Sequence, residues 1–161
     1  MPPRVGEIAL QFLETQGANV LFHTPYTEEL ARSYDLSIQC TGYKFHTDFM
    51  KEHFSASLAP SGQILVNDYF QVSNSDREVI YPNVFAFGDV CKTTLNEDKS
   101  VSSIKQLAPL LVKTLKTLAA GGALPTTGIP ASIPKIASVS LGPSYGVMVV
   151  NGFVMAGRKF G

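Results

Sequence analysis

The residues best placed to do chemistry are Gly88 and Asp89, at the end of the run Tyr81-Pro82-Asn83-Val84-Phe85-Ala86-Phe87-Gly88-Asp89. Val84, Phe85, Ala86 and Phe87 are continuously apolar and stop abruptly at the glycine. That is the pattern of a buried parallel strand whose C-terminal end opens onto a ligand. A glycine there permits close approach to the backbone, and the aspartate can accept hydrogen bonds from sugar hydroxyls. Residues 36–40, followed by Thr41-Gly42, have the same strand-then-glycine form. Taken alone, a Gly-Asp pair after a strand also reads as an ordinary turn or helix cap.

Other chemistry finds little support. Cys40 and Cys91 are far apart and form no C-x-x-C pair, so both read as small packed residues. His23, His46 and His53 lack metal-ligand spacing, and no metal site is expected. No Ser-His-Asp grouping can be argued, so no catalytic residue is assigned. No G-x-G-x-x-G occurs anywhere in the chain, which therefore encodes neither of the glycine loops that hold a dinucleotide pyrophosphate.

The elements that must position these residues follow from periodicity. Val5, Ile8, Ala9, Phe12 and Leu13 recur at helical spacing and Gly17 closes the run. Residues 18–22 then predict a strand, and residues 36–40 a second, buried one. Residues 45–54 suit one or two helical turns. Residues 64–66 and 70–72 predict a short strand pair around Asn67-Asp68. Val101, Ile104, Leu107, Ala108, Leu111, Leu115 and Leu118 predict a long amphipathic helix, capped by Asp98 or Ser100 and ended by Gly121-Gly122. Pro109 should kink that helix or start a second one. Pro125, Gly128, Pro130 and Pro134 mark an extended linker. Residues 136–140, 145–150 and 153–155 predict short strands joined by glycine turns.

Composition sets the class. The chain has 161 residues, 45% hydrophobic and 16% charged, enough to bury a core. With 13 basic and 13 acidic residues the formal net charge is zero, which excludes a field for nucleic acid. No uninterrupted apolar stretch is long enough to span a membrane. The N-terminal residues lack the pattern of a secretion signal, and the expected setting is intracellular, cytoplasmic or mitochondrial.

The ordered set of Cys40-Thr41-Gly42, the strand pair between Gly62 and Val72, Pro82 to Asp89 and the long helix resembles the pyridine-nucleotide-dependent flavin oxidoreductases. Leu36-Ser-Ile-Gln-Cys-Thr-Gly42, Leu58-Ala-Pro-Ser-Gly-Gln-Ile-Leu-Val-Asn67 and Gln71-Val72 are most similar to the apoptosis-inducing-factor-related, ferroptosis-suppressor-type quinone reductases. Ser138-Val-Ser-Leu-Gly142 and Gly146-Val147 fit the same branch, and type II NADH dehydrogenases are more distant. The resemblance covers nearly the whole chain but only the C-terminal half of such a protein. It implies an α/β chain holding an incomplete doubly wound, two-dinucleotide-binding fold, followed by a small α+β segment. Residues 1–35 would end an NAD(P)H-binding module. Residues 36–122 would form the returning half of an FAD-binding module, and residues 123–161 would begin a C-terminal dimer or membrane-face domain.

In that family the aspartate of the Gly-Asp motif binds the ribityl chain of FAD, a role that falls on Asp89 with Gly88 beside it. Thr41 and Gly42 would lie near the cofactors. Lys99, preceded by Asp98 where relatives have proline, is the nearest match to a lysine placed against the flavin. A solvated charge at a helix start is the other reading of Lys99. The implied reaction passes hydride from NAD(P)H to FAD and then to a quinone-like acceptor, with another polypeptide supplying the N-terminal FAD-binding half. Peripheral membrane association is compatible with this. A non-catalytic, degenerate flavoprotein-like accessory subunit of a larger assembly is the alternative.

Overall fold

The computed structural model describes residues 1–40, 42, 44–95 and 100–160, with the backbone alone at positions 80 and 159. The chain opens with helix α1, Pro3–Thr15, whose proline sits in the first turn, where no N–H is needed. The helix ends where Gly17 takes φ +80°, a conformation that glycine adopts without Cβ strain. The N–H groups of Gly17 and Ala18 donate to the carbonyls of Glu14 and Leu13, each at 3.0 Å, which satisfies the last turn.

The strand expected at residues 18–22 is not formed. Leu21 and Phe22 are exposed in a turn, and His23 adopts a positive φ. Helix α2, Glu28–Ala31, is a single turn capped by Thr27, whose hydroxyl oxygen accepts from the Leu30 N–H at 3.1 Å. Residues 36–40, expected as a buried parallel strand, pair with no described strand. Leu36 and Ile38 are 75% and 73% exposed. A strand is stabilised by its neighbours' ladder and by cover on its face, and the described residues offer this one neither.

Single 3₁₀ turns at Asp48–Met50 and Ser55–Ser57 lead to β1, Ile64–Leu65. Next come β2, Gln71–Ser73, and β3, Val79–Phe85, then β4, Cys91–Lys92. β1 and β4 run parallel, with Ile64 opposite Cys91. β2 and β3 form an antiparallel hairpin with an irregular register. The apolar run 84–87, expected as a parallel strand, therefore contributes Val84 and Phe85 to an antiparallel ladder, and that ladder begins earlier, at Val79. The reason is connection length. The turn between β2 and β3 is short, held by Asn74 Oδ1 accepting from the N–H groups of Asp76 and Glu78. So short a link allows only a hairpin, whereas a parallel pair needs a crossover.

Helix α3, Val101–Ala119, starts at Ser100, whose Oγ accepts from the Ser103 N–H at 3.2 Å. It runs through Pro109 as one helix. It ends in the same way as α1: Gly121 and Gly122 donate to Leu118 and Thr117, each at 2.9 Å. The following linker is pinned to the β1–β2 turn by Ile129 N–H donating to Asp68 O at 2.8 Å. Gly128 is required by that approach, since a Cβ there would lie 2.7 Å from the Asp68 Cβ. Last comes an antiparallel sheet of β5, Ile136–Ser140, β6, Gly146–Val150, and β7, Phe153–Gly157, in the order β5-β6-β7.

Among the described residues, two apolar clusters hold this together. The larger centres on Val66, Phe70 and Val72, with Met50, Ile64 and Leu107 around them. The smaller joins Val5 and Ile8 of α1 to Val147 and Val149 of β6, while Phe12 stacks on Tyr145 at 4.6 Å. The first helix is thus packed on the last sheet. The fold is mixed α/β, as expected. Among the described residues its strands form three small sheets and no doubly wound one.

Candidate functional site: the Gly88-Asp89 turn

β3 delivers the chain to the turn through Ala86, which is buried and donates its N–H to Phe70 O at 3.1 Å. Phe87 follows, packed edge-on against Phe70 at 5.1 Å. Gly88 then turns the chain with φ +83°. No heavy atom lies within 4 Å of where a Gly88 Cβ would sit. The glycine is required by its dihedral and leaves its outer side open. Its carbonyl accepts from both the Cys91 N–H and the Cys91 thiol, each at 3.2 Å.

A residue the sequence reading missed completes the turn. Gln63, just before β1, donates its Nε2 to the carbonyls of Asp89 and Cys91, each at 3.2 Å. These bonds use the Asp89 backbone and leave its carboxylate free. The Asp89 side chain is exposed and has no hydrogen-bond or ion-pair partner among the described residues. A carboxylate on a braced backbone, facing outward and unpaired, is available to accept hydrogen bonds from outside the chain.

Of the other residues assigned from sequence, only Gly42 is described, and it is not brought to this turn. Gly42 is exposed with φ +67°, and it shares no described hydrogen bond, sheet or cavity with Gly88 or Asp89. Thr41 and Lys99 lie outside the described residues, as does Asp98, the other candidate cap of α3. Cys40 is exposed and Cys91 buried, and neither is in a disulfide. Among the described residues, no three His, Cys, Asp or Glu side chains group as metal ligands. None of the described helices is long and apolar enough to cross a membrane.

Concavities lie near these elements. A crevice of about 10 Å³ beside Gly88 is lined by Phe70, Phe87 and Leu107, and is too small for a ligand. A cavity of about 390 Å³ lies at the start of α3, lined by Leu95, Ser100, Ser103, Ile133, Ile136 and Val149. An open groove of about 370 Å³ carries Lys44 and Lys51. Both lysines are engaged by Asp48, at 3.6 and 2.6 Å, and the hydrogen bond from Lys51 and the charge of Lys44 hold the Asp48 carboxyl below its ordinary range.

No protein-family model matches the chain. It is 31% identical over 117 residues to apoptosis-inducing factor homolog A of Dictyostelium discoideum, covering 73% of this chain and 27% of that protein. It is 32% identical over 101 residues to an NADH oxidase of Enterococcus faecalis, covering 62% of this chain and 20% of that protein. Over 65 residues it is 38% identical to ferroptosis suppressor protein 1 of Xenopus tropicalis, covering 40% of this chain and 15% of that protein. The chain therefore spans about a quarter, or less, of the length of these relatives. These matches bear out, over part of the chain, the resemblance to FAD-dependent pyridine nucleotide oxidoreductases of the apoptosis-inducing-factor-related, ferroptosis-suppressor type.

Proposed function

We propose that this chain contributes one side of the flavin site of an NAD(P)H oxidoreductase acting on a quinone-like acceptor. A polypeptide outside these 161 residues supplies the glycine-rich half. The observation that carries the reading is the Gly88-Asp89 turn, where an exposed, unpaired carboxylate follows a positive-φ glycine on a braced backbone. The residues present fit the polyol end of FAD: Asp89 accepts from its hydroxyls, and the open side of Gly88 admits it to the backbone. They do not fit the pyrophosphate, because the sequence has no glycine loop leading into a helix N-terminus. Thr41 and Gly42 are assigned to the cofactor's surroundings and Lys99 to the flavin edge. The N-terminus of α3 contributes partial positive charge near reduced flavin. FAD, when bound, would supply the redox chemistry between NAD(P)H as hydride donor and the acceptor; the chain's own part is positioning.

In this reading the doubly wound sheet is completed by the second polypeptide. Residues 1–35, 36–122 and 123–161 then correspond to the end of the NAD(P)H module, the returning half of the FAD module and the start of the C-terminal domain. The accessory-subunit alternative is favoured by one observation, that the crevice beside Gly88 has room for only about 10 Å³ and Asp89 is not among the residues lining it. The two separate on colour. An oxidoreductase assembly purified with this chain shows bound-flavin absorbance, and a colourless assembly supports the accessory reading.

A further inference from the structure

The zero formal charge of the chain is the sum of two unlike parts. Residues 99–161 hold seven of the 13 lysines and arginines and none of the 13 aspartates and glutamates, which makes this part +7 and leaves residues 1–98 at −7. Helix α3 brings part of that charge to one face. Lys105, Val112 and Lys116 are spaced by seven and four residues, so they line up along the helix, with Lys113 and Leu115 on either side. Ser103, Leu107 and Thr114 are buried on the opposite side. Lys105, Lys113 and Lys116 are exposed, and Val112 and Leu115 are 47% and 41% exposed. No ion pair among the described residues involves these lysines. Lys135, also exposed, extends the surface beside Lys105, because Gln106 Nε2 donates to Pro134 O at 3.2 Å. A solvated helix face ordinarily mixes charges of both signs. This one mixes lysine with aliphatic side chains.

We propose that the outer face of α3 rests on an anionic phospholipid surface. The lysine ammonium groups meet the charged headgroups, while Val112 and Leu115 enter the layer just beneath, where lysine stems also cover apolar surface. Charge complementarity names the occupant. A surface of many negative charges matches a face with no carboxylate, and each lysine close to it adds to the attraction. The aliphatic side chains between the lysines favour lipid over nucleic acid, whose backbone is met by cations together with hydroxyl and amide groups. The inner face of α3 is taken up by Leu107 and the core around it, so the helix lies on the lipid surface. The proposal stands apart from the flavin reading, which uses none of these side chains.

The test is cosedimentation of the full chain with vesicles, either pure phosphatidylcholine or phosphatidylcholine mixed with phosphatidylserine. Binding to the mixed vesicles, little binding to the pure ones, and release at high salt are expected. Lys105→Gln/Lys113→Gln/Lys116→Gln should lower the partition coefficient roughly a hundredfold. Lys44→Gln/Lys51→Gln/Lys92→Gln removes the same charge elsewhere on the chain and should change it little. Circular dichroism should show both variants folded, because glutamine is a good helix former and these positions are exposed. No binding to mixed vesicles, equal binding to pure phosphatidylcholine, or equal loss in the two variants overturns the proposal. A second measurement needs no charge removed. The chain contains no tryptophan, so Val112→Trp reports on this face alone. Its emission should shift to the blue on mixed vesicles, and that of Phe49→Trp, at a position 71% exposed and away from α3, should not. An unshifted Val112→Trp, or retention of the chain by duplex DNA in preference to the mixed vesicles, also overturns the proposal.

Discussion

Asp89 is distinguished by what holds it and by what it does not touch. Gln63 holds its carbonyl, Cys91 holds that of Gly88 before it, and no described group engages its carboxylate. Replacing it with alanine should leave the fold intact, since an exposed side chain without partners adds little to stability. In an assembly that binds flavin, Asp89→Ala should weaken flavin retention by about 1.5–3 kcal/mol, the range for a hydrogen bond to a charged group. Flavin release followed by equilibrium dialysis measures this, and unchanged retention would remove Asp89 from the site. The pair Gly88-Asp89 was legible in sequence because an apolar run ending in glycine and carboxylate is a local signature. Gln63 was not. It reaches Asp89 across 26 positions, and a single glutamine before a strand carries no periodicity that would reveal its partner.

Elements set by local signals were read well. α1 and α3 follow from apolar spacing at the helical period and from glycines that close each helix in a left-handed turn. The three C-terminal strands follow from apolar runs separated by Gly142 and by Asn151-Gly152. Pairing was not legible. Residues 36–40 look buried in sequence and are bare in the fold, because burial depends on neighbours that no local pattern names. The run at 84–87 looks like a parallel strand, yet the short turn after β2 makes its first two residues part of a hairpin. Pro109 gives this scale its own test. It lies in the interior of an uninterrupted α3, where it cannot donate to the Lys105 carbonyl. Pro109→Ala restores that bond and should raise stability, by up to about 3 kcal/mol. A higher denaturant midpoint at unchanged slope is the expected result. A lower midpoint would mean that the helix needs its proline.

At the scale of the molecule, the described residues bury two separate apolar clusters and leave a third set of large apolar side chains in solvent, from Leu21 to Ile38. With no net charge to keep copies apart, such a surface favours association. The same incompleteness holds for chemistry: one carboxylate is presented and no phosphate cradle is encoded. In the proposed reading the flavin site is shared between this chain and the glycine-rich half. The direct measurement is flavin per chain, by absorbance, on the chain purified alone and on its assembly with the glycine-rich polypeptide. A colourless chain alone and stoichiometric FAD in the assembly are expected. Stoichiometric FAD on the chain alone, or an assembly that binds none, would contradict the shared site.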